Sequence, residues 1–132
     1  MLGSGHKANI VVLCDTNILI HAFNGDMPTI EHLKKIGLTN ILLSSITVME
    51  LYQGMGNKNE LAIMRKKLAF YDVVQIDRRI SEKAIDLIVE FKLSHGLQIP
   101  DALIAATAVS YDLPLFTYNT KVFSFIPGIN LS

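Results

Sequence analysis

The sequence predicts an α/β fold: one domain on a central parallel sheet of four to five strands, with helices covering both faces. Three observations predict it. Strand-like and helix-like segments alternate along the whole chain, the pattern of parallel strands joined by helical crossovers. The first strand-like segment, Ile10-Val11-Val12-Leu13-Cys14, is continuously apolar and largely β-branched, as a strand covered on both faces must be. The length of 132 residues, half of them apolar, suits one domain with a core of its own.

The elements follow in order. The strand over 10–14 runs into Asp15 and a helix over 16–23, and Asn24-Gly25-Asp26 makes a turn. Pro28 suits the first turn of a second helix that runs to residue 36, with Gly37 as its C-terminal cap. Residues 40–43 read as the second strand. Ser44 or Ser45 caps a third helix to residue 55, ended by Gly54 and Gly56. Asn57 with Glu60 three residues on is a capping-box pattern for a fourth helix to residue 70. A third strand over 71–76 leads to a fifth helix over 81–95, closed by Gly96. Pro100 opens a sixth helix over 101–111, the fourth strand covers 113–117, and residues 129–131 read as a short edge strand.

Composition excludes several classes. One cysteine, Cys14, supports neither a disulfide framework nor a cysteine-based zinc site. Its place within a strand reads as a small, buried, inert residue. Twelve basic residues balance twelve acidic ones, so no charge excess points to nucleic acid. Residues 1–8 are small and polar, lack the apolar stretch of a signal peptide, and are read as disordered or appended. The longest apolar run, 102–109, is far short of the ~20 residues of a membrane span. A cytoplasmic protein without membrane contact is the expectation.

In an open parallel sheet, ligands bind at the carboxyl ends of the strands. Asp15 follows the first strand, Ser44 and Ser45 the second, and Thr117, Tyr118 and Asn119 the fourth. Glu50 and Asp101 lie on helices that start at the same edge. Each has a plain reading as well. Asp15 suits a helix cap, Asp101 a favourable place in the helix dipole, and Asn119 a turn or a cap. Glu50 is harder to explain this way, because it sits on a helix with a broad apolar surface. If these acids converge, two charges ~4 Å apart at an effective dielectric of ~20 repel by about 4 kcal/mol. A cation is then needed to hold them. An all-oxygen set with no Cys and no clustered His favours Mg²⁺ or Mn²⁺ over Zn²⁺.

Four segments carry a family resemblance. They are Val12-Leu13-Cys14-Asp15-Thr16-Asn17-Ile18-Leu19-Ile20, Leu43-Ser44-Ser45-Ile46-Thr47-Val48-Met49-Glu50-Leu51-Tyr52-Gln53-Gly54, Gly96-Leu97-Gln98-Ile99-Pro100-Asp101-Ala102-Leu103-Ile104-Ala105-Ala106-Thr107-Ala108, and Leu115-Phe116-Thr117-Tyr118-Asn119-Thr120-Lys121-Val122-Phe123. In this order they resemble the PIN-domain family, and within it the VapC-type toxins of type II toxin–antitoxin pairs. The resemblance implies a metal-dependent endoribonuclease. Asp15, Glu50 and Asp101 would hold Mg²⁺ or Mn²⁺, Asn119 would complete the site, and Thr16 and Thr117 would support it. It also implies an RNA substrate, a small cognate antitoxin across the catalytic groove, and a homodimer through the early helices. One departure stands out: Val122 occupies a place where the family often has an Asp. That puts a second metal in doubt. It leaves a non-cleaving PIN-like module that binds RNA or protein as the alternative.

Other features are weighed against plainer readings. Residues 58–83 hold seven basic and four acidic residues, with Arg65-Lys66-Lys67 and Arg78-Arg79 the densest clusters; a solvated helix face explains them as well as an RNA-facing patch. His6, His21, His32 and His95 show no metal-ligand spacing. Tyr118 beside the expected site reads as an exposed turn residue or a stacking platform. A phosphatase of the haloacid-dehalogenase type needs a second Asp where Asn17 stands, and a receiver domain needs acidic and Lys positions that are not evident.

Overall fold

The structure is a computed structural model and describes residues 10–132, so the expectation for residues 1–8 lies outside the described residues. Four strands, β1 (Val12–Cys14), β2 (Ile41–Ser44), β3 (Asp72–Val74) and β4 (Leu115–Phe116), form one parallel sheet in the order β3-β2-β1-β4. Registers are Val12 with Ile41, Leu13 with Leu115 and Leu43 with Val73. Among the described residues there are seven α-helices: α1 (Thr16–Phe23), α2 (Met27–Ile36), α3 (Ser45–Gln53), α4 (Lys58–Leu68), α5 (Arg78–His95), α6 (Ile99–Ser110) and α7 (Thr120–Phe123).

The continuous apolar run behaves as its composition requires. Leu13 points to one face of the sheet, into a core with Ile80, Leu87, Ile104, Leu115 and Phe123 from α5, α6, β4 and α7. Val12 and Cys14 point to the other, into a core with Ile18, Leu33, Leu43, Leu51 and Leu68 from α1, α2, β2, α3 and α4. Successive residues of a strand face opposite ways, so a strand between two layers must be apolar at every position. Burial pushes the Cys14 thiol up to about 12, with the Asp15 charge adding to it, so it is inert.

Several boundaries move for identifiable reasons. β1 starts at Val12, because Ile10 is largely exposed. The expected strand over 71–76 shrinks to Asp72–Val74, an edge strand that pairs only with β2. Residue 40 belongs to a short 3₁₀ turn, Leu38–Asn40, rather than to the second strand. The fifth helix begins at Arg78, not Ser81, because Asp77 caps it by accepting the Ile80 N–H at 2.8 Å. Its end falls as expected at Gly96, whose left-handed φ of 67° suits glycine. The expected edge strand over 129–131 reduces to a single parallel bridge between Leu115 and Leu131. Two backbone bonds of 2.8 Å flank that bridge, from Leu115 N to Asn130 O and from Ser132 N to Leu115 O. The short helix α7 was not expected; its one turn buries Phe123 completely.

The sheet order fixes where a site can form. From β1 the chain moves to β2 and β3 on one side, then returns to place β4 on the other side of β1. The crevice beyond the carboxyl ends of β1 and β4 is therefore the switch point. Leu13→Ala tests the frame beneath it. The side chain is fully buried at the sheet centre, so urea unfolding is expected to give a loss of about 2–5 kcal/mol.

Candidate active site

Asp15 extends directly from β1 into that crevice. Its backbone N–H donates to Phe116 O at 2.9 Å, continuing the β1–β4 pairing. Its side chain is almost buried and accepts two hydrogen bonds of 2.8 Å, one from the Thr16 N–H and one from the Thr117 hydroxyl. The first makes Asp15 the N-cap of α1; the second ties it to the end of β4. Asp15 therefore caps α1 and lines the crevice at the same time. Thr117 in turn accepts the Asn119 N–H at 2.9 Å, so one hydroxyl organises both β1 and the turn after β4.

Glu50 reaches the crevice from the second turn of α3. The Thr16 hydroxyl donates to it at 2.7 Å and lies 3.0 Å from the hydroxyl of Thr47, which is fully buried. Glu50 therefore has the partner that its apolar helix demands. Asp101 enters from the first turn of α6, half-buried. Asn119 stands at the N-cap position of α7, yet its side chain makes no capping bond, and it lines the pocket instead.

Asp15, Glu50, Asp101 and Asn119 share one open pocket of about 360 Å³, together with Thr16, Asn17 and Gln53. A larger pocket of about 440 Å³, among Phe23, Ile30, Leu33, Leu38 and Tyr71, is lined by no carboxylate. Electrostatics in the shared pocket are strained. Burial first, then the charges of Asp15 and Glu50, push the Asp101 carboxyl up to about 6. Burial also raises Asp15, against the lowering effect of the Thr117 and Thr16 hydrogen bonds, and Glu50 raises it further. Among the described residues, no three His, Cys, Asp or Glu side chains form a closed ligand group as they stand. The donor chemistry nonetheless fits a hard divalent cation, since every candidate ligand is an oxygen and neighbouring carboxylates raise both Asp15 and Asp101.

The remaining candidates are placed elsewhere. Val122 is half-buried and packs against the core of Leu13 and Phe123, so this position serves packing. Tyr118 is held in place: its hydroxyl bonds Thr29 at 2.6 Å and its ring meets Phe116 and His21 edge-on. His32 stacks on Phe116 and His95 on Phe125, as structural aromatics; His6 lies outside the described residues. Arg79 sits over the ring of Tyr111 at the far end of α6 from Asp101, about 15 Å along the helix, so the Arg78-Arg79 pair is remote from the pocket. Sequence reasoning missed the part played by Thr47. The signal was its position three residues before Glu50, on the same face of one helix.

A profile of the PIN domain matches residues 12–127, nearly the whole chain. The chain belongs to the PIN domain family. No curated protein sequence matches it. Solved structures similar to it include a chain of a toxin–antitoxin complex from Klebsiella pneumoniae, 36% identical with a TM-score of 0.76, covering 89% of this chain and 94% of that one. Another comes from VapBC2 of Rickettsia felis bound to a DNA fragment from its promoter, at 26% identity, a TM-score of 0.77, and coverage of 93% and 98%. A third comes from DNA-bound VapBC of Salmonella typhimurium, at 25% identity, a TM-score of 0.80, and coverage of 93% and 97%. This PIN domain thus resembles chains of VapBC complexes over almost its full length, and nuclease activity is general in PIN domains. Among the described residues, no helix is long and apolar enough to cross a membrane.

The raised Asp101 makes a testable statement about stability. A carboxyl whose folded pKa lies above its unfolded value binds more protons when folded, so it costs stability as pH rises from about 4 to about 6. In metal-free buffer, the melting temperature of the wild type is expected to fall across that window relative to Asp101→Asn. Parallel curves for the two proteins would contradict the placement of Asp101 among like charges.

Proposed function

We propose that this PIN domain is a metal-dependent endoribonuclease, the toxin of a type II toxin–antitoxin pair, acting in the cytoplasm. One observation carries the reading. The switch-point pocket gathers Asp15, Glu50, Asp101 and Asn119 from four elements distant in sequence, and hydrogen bonds from Thr16 and Thr117 hold two of the acids in it. A purely structural set of acids has no reason to share an open pocket at mutual electrostatic cost.

Asp15, Glu50 and Asp101 would hold Mg²⁺ or Mn²⁺. When bound, the ion supplies charge neutralisation at the scissile phosphate and a water of lowered pKa. The chain's own residues do the rest. Thr117 and the Thr16 N–H fix both oxygens of Asp15, and Thr16 fixes Glu50, so neither carboxylate must reorganise during the reaction. One carboxylate, Asp101 or Glu50, orients the attacking water. The Asn119 amide, free of any capping bond, hydrogen-bonds the substrate backbone or a neighbouring carboxylate. Zero net charge fits modest, metal-dependent RNA affinity rather than tight nonspecific binding.

A small antitoxin fits beside the acids. An apolar pocket of about 250 Å³ shares Ile20, Glu50 and Gly54 with the acidic one and continues to Phe23, Met55 and Met64. A peptide that seats apolar side chains there can place a basic one on the carboxylates. The non-cleaving alternative is favoured by one observation, the use of Val122 for packing where an acid is often found.

Cleavage of RNA in Mg²⁺ or Mn²⁺, followed with Asp15→Asn, tests the proposal. Loss of at least about 10²-fold in rate is expected; full activity in the variant would sink the assignment. Calorimetric titration with Mn²⁺ separates the alternative, since a non-cleaving module predicts no binding near neutral pH. Thr16→Val, which frees Glu50, is expected to weaken Mn²⁺ binding by about 10–100-fold.

A further inference from the structure

Tyr118 lies between two residues of the candidate site. Thr117 before it bonds Asp15, and Asn119 after it lines the acidic pocket. Its backbone is therefore fixed beside the acids, and its hydroxyl is fixed as well. It lies 2.6 Å from the hydroxyl of Thr29 in α2, a residue that is fully buried. Thr29 has one hydroxyl proton and donates it to Asp26, whose ionised carboxylate only accepts. The Thr29 oxygen is then the acceptor of the 2.6 Å bond, and Tyr118 is its donor. Asp26 also accepts the Thr29 N–H at 3.3 Å, as the N-cap of α2. The chain from Tyr118 through Thr29 to Asp26 thus runs in one direction and ends on a helix cap. It pins the tip of the side chain inward, yet Tyr118 is 48% exposed. With the hydroxyl turned inward, ring surface is what faces solvent.

We infer that this ring is a stacking platform for a base of single-stranded RNA, close to the phosphate held at the acids. The inference rests on the reading of the acidic pocket as an RNA site. Tyr118 meets His21 and Phe116 edge-on, at 5.3 and 5.5 Å between ring centres. Among the described residues no ring lies parallel to it. Phe116 and Phe125, by contrast, have parallel partners in His32 and His95. Location agrees. Asn17 lines the acidic pocket, and His21, four residues on, shares its face of α1. The ring that touches His21 therefore stands about 6 Å along α1 from the pocket rim. That is about two steps of a stacked strand, which rises ~3.4 Å per nucleotide. Chemistry agrees too. Among the described residues no Lys or Arg lines the pocket, so RNA held there needs affinity from uncharged groups. Stacking on an aromatic ring supplies it, and tolerates any base because each has a π-face. A ring already pinned at its hydroxyl loses little freedom when a base settles on it.

Stopped-flow fluorescence tests it, with the full chain in Mg²⁺ and short single-stranded oligoribonucleotides carrying one 2-aminopurine at successive positions, read before turnover. Stacking on an aromatic ring quenches this base, and the wild type is expected to quench it at one or two positions. Tyr118→Leu keeps an apolar side chain without a ring. It is expected to lose the quenching and to raise Kd by at least about fivefold. Tyr118→Phe keeps the ring and gives up the Thr29 bond, and is expected to quench and bind close to the wild type. A residue that only held the turn for Asn119 would make the two variants equally defective, since both lose that bond. In RNA cleavage, Tyr118→Leu is expected to raise KM with kcat little changed, as loss of uniform binding does. The factor is expected to be similar whichever base occupies the position. A wild type that binds and quenches without cleaving would overturn the nuclease reading and leave the platform standing. A wild type that quenches at no position, a Tyr118→Leu that quenches as the wild type does, or a Tyr118→Phe as defective as Tyr118→Leu would each overturn the inference.

Discussion

The site depends on holding Asp15 in place at the end of β1 while almost all of it is out of water. Burying a carboxylate is costly unless it is hydrogen-bonded, and two donors converge on its oxygens. One is the first free N–H of α1, part of the positive end of that helix. The other is the Thr117 hydroxyl, which can reach it because β4 returns to the far side of β1 and ends level with it. The same sheet order that creates the crevice thus supplies the donor. Once Asp15 is fixed, Thr16 follows it in α1 and its hydroxyl selects the position of Glu50. The carboxylates are arranged by backbone geometry more than by one another. Burial first, and then the charges of Asp15 and Glu50, raise Asp101, and a bound divalent cation is the natural counterweight.

Much of this is legible in the amino-acid sequence. The uniform apolar run at 10–14 requires two covering layers, and both cores are found. Asp15, Ser44 and Thr117 follow strands directly, so their place at one edge of a parallel sheet follows from topology. Boundaries were less legible where the deciding contact is local and polar. Asp77 caps α5 from three residues before Ile80, and the signal of Ser81 within the same turn competed with it. The short α7 has too few residues for a periodic pattern and is set by burial of Phe123. Hydrogen bonds across long sequence separations, such as Thr16 to Glu50, cannot be read from spacing, because they depend on how α1 and α3 pack.

Equal numbers of acids and bases point by themselves to no partner. Placement gives the balance its meaning. Three of the twelve acids share the switch-point pocket, while Arg78 and Arg79 stand at the far end of α6 and are engaged by Glu82 and Tyr111. The two sides of the sheet also divide their labour. The layer of α1, α3 and α4 frames the apolar extension of the acidic pocket, α6 from the other layer brings Asp101 to the acids, and α5 with α6 offers an apolar stripe with no partner among the described residues.

On the proposed reading, Asp15, Glu50 and Asp101 form one electrostatic unit that receives a divalent cation. The most direct measurement is the titration of the Asp101 carboxyl carbon by NMR, with and without millimolar Mg²⁺. The account predicts a midpoint near 6 in metal-free buffer and a clear downward shift with Mg²⁺, because the ion competes with the proton for the same oxygens. A midpoint at the ordinary aspartate value, or one that Mg²⁺ leaves unmoved, would contradict it.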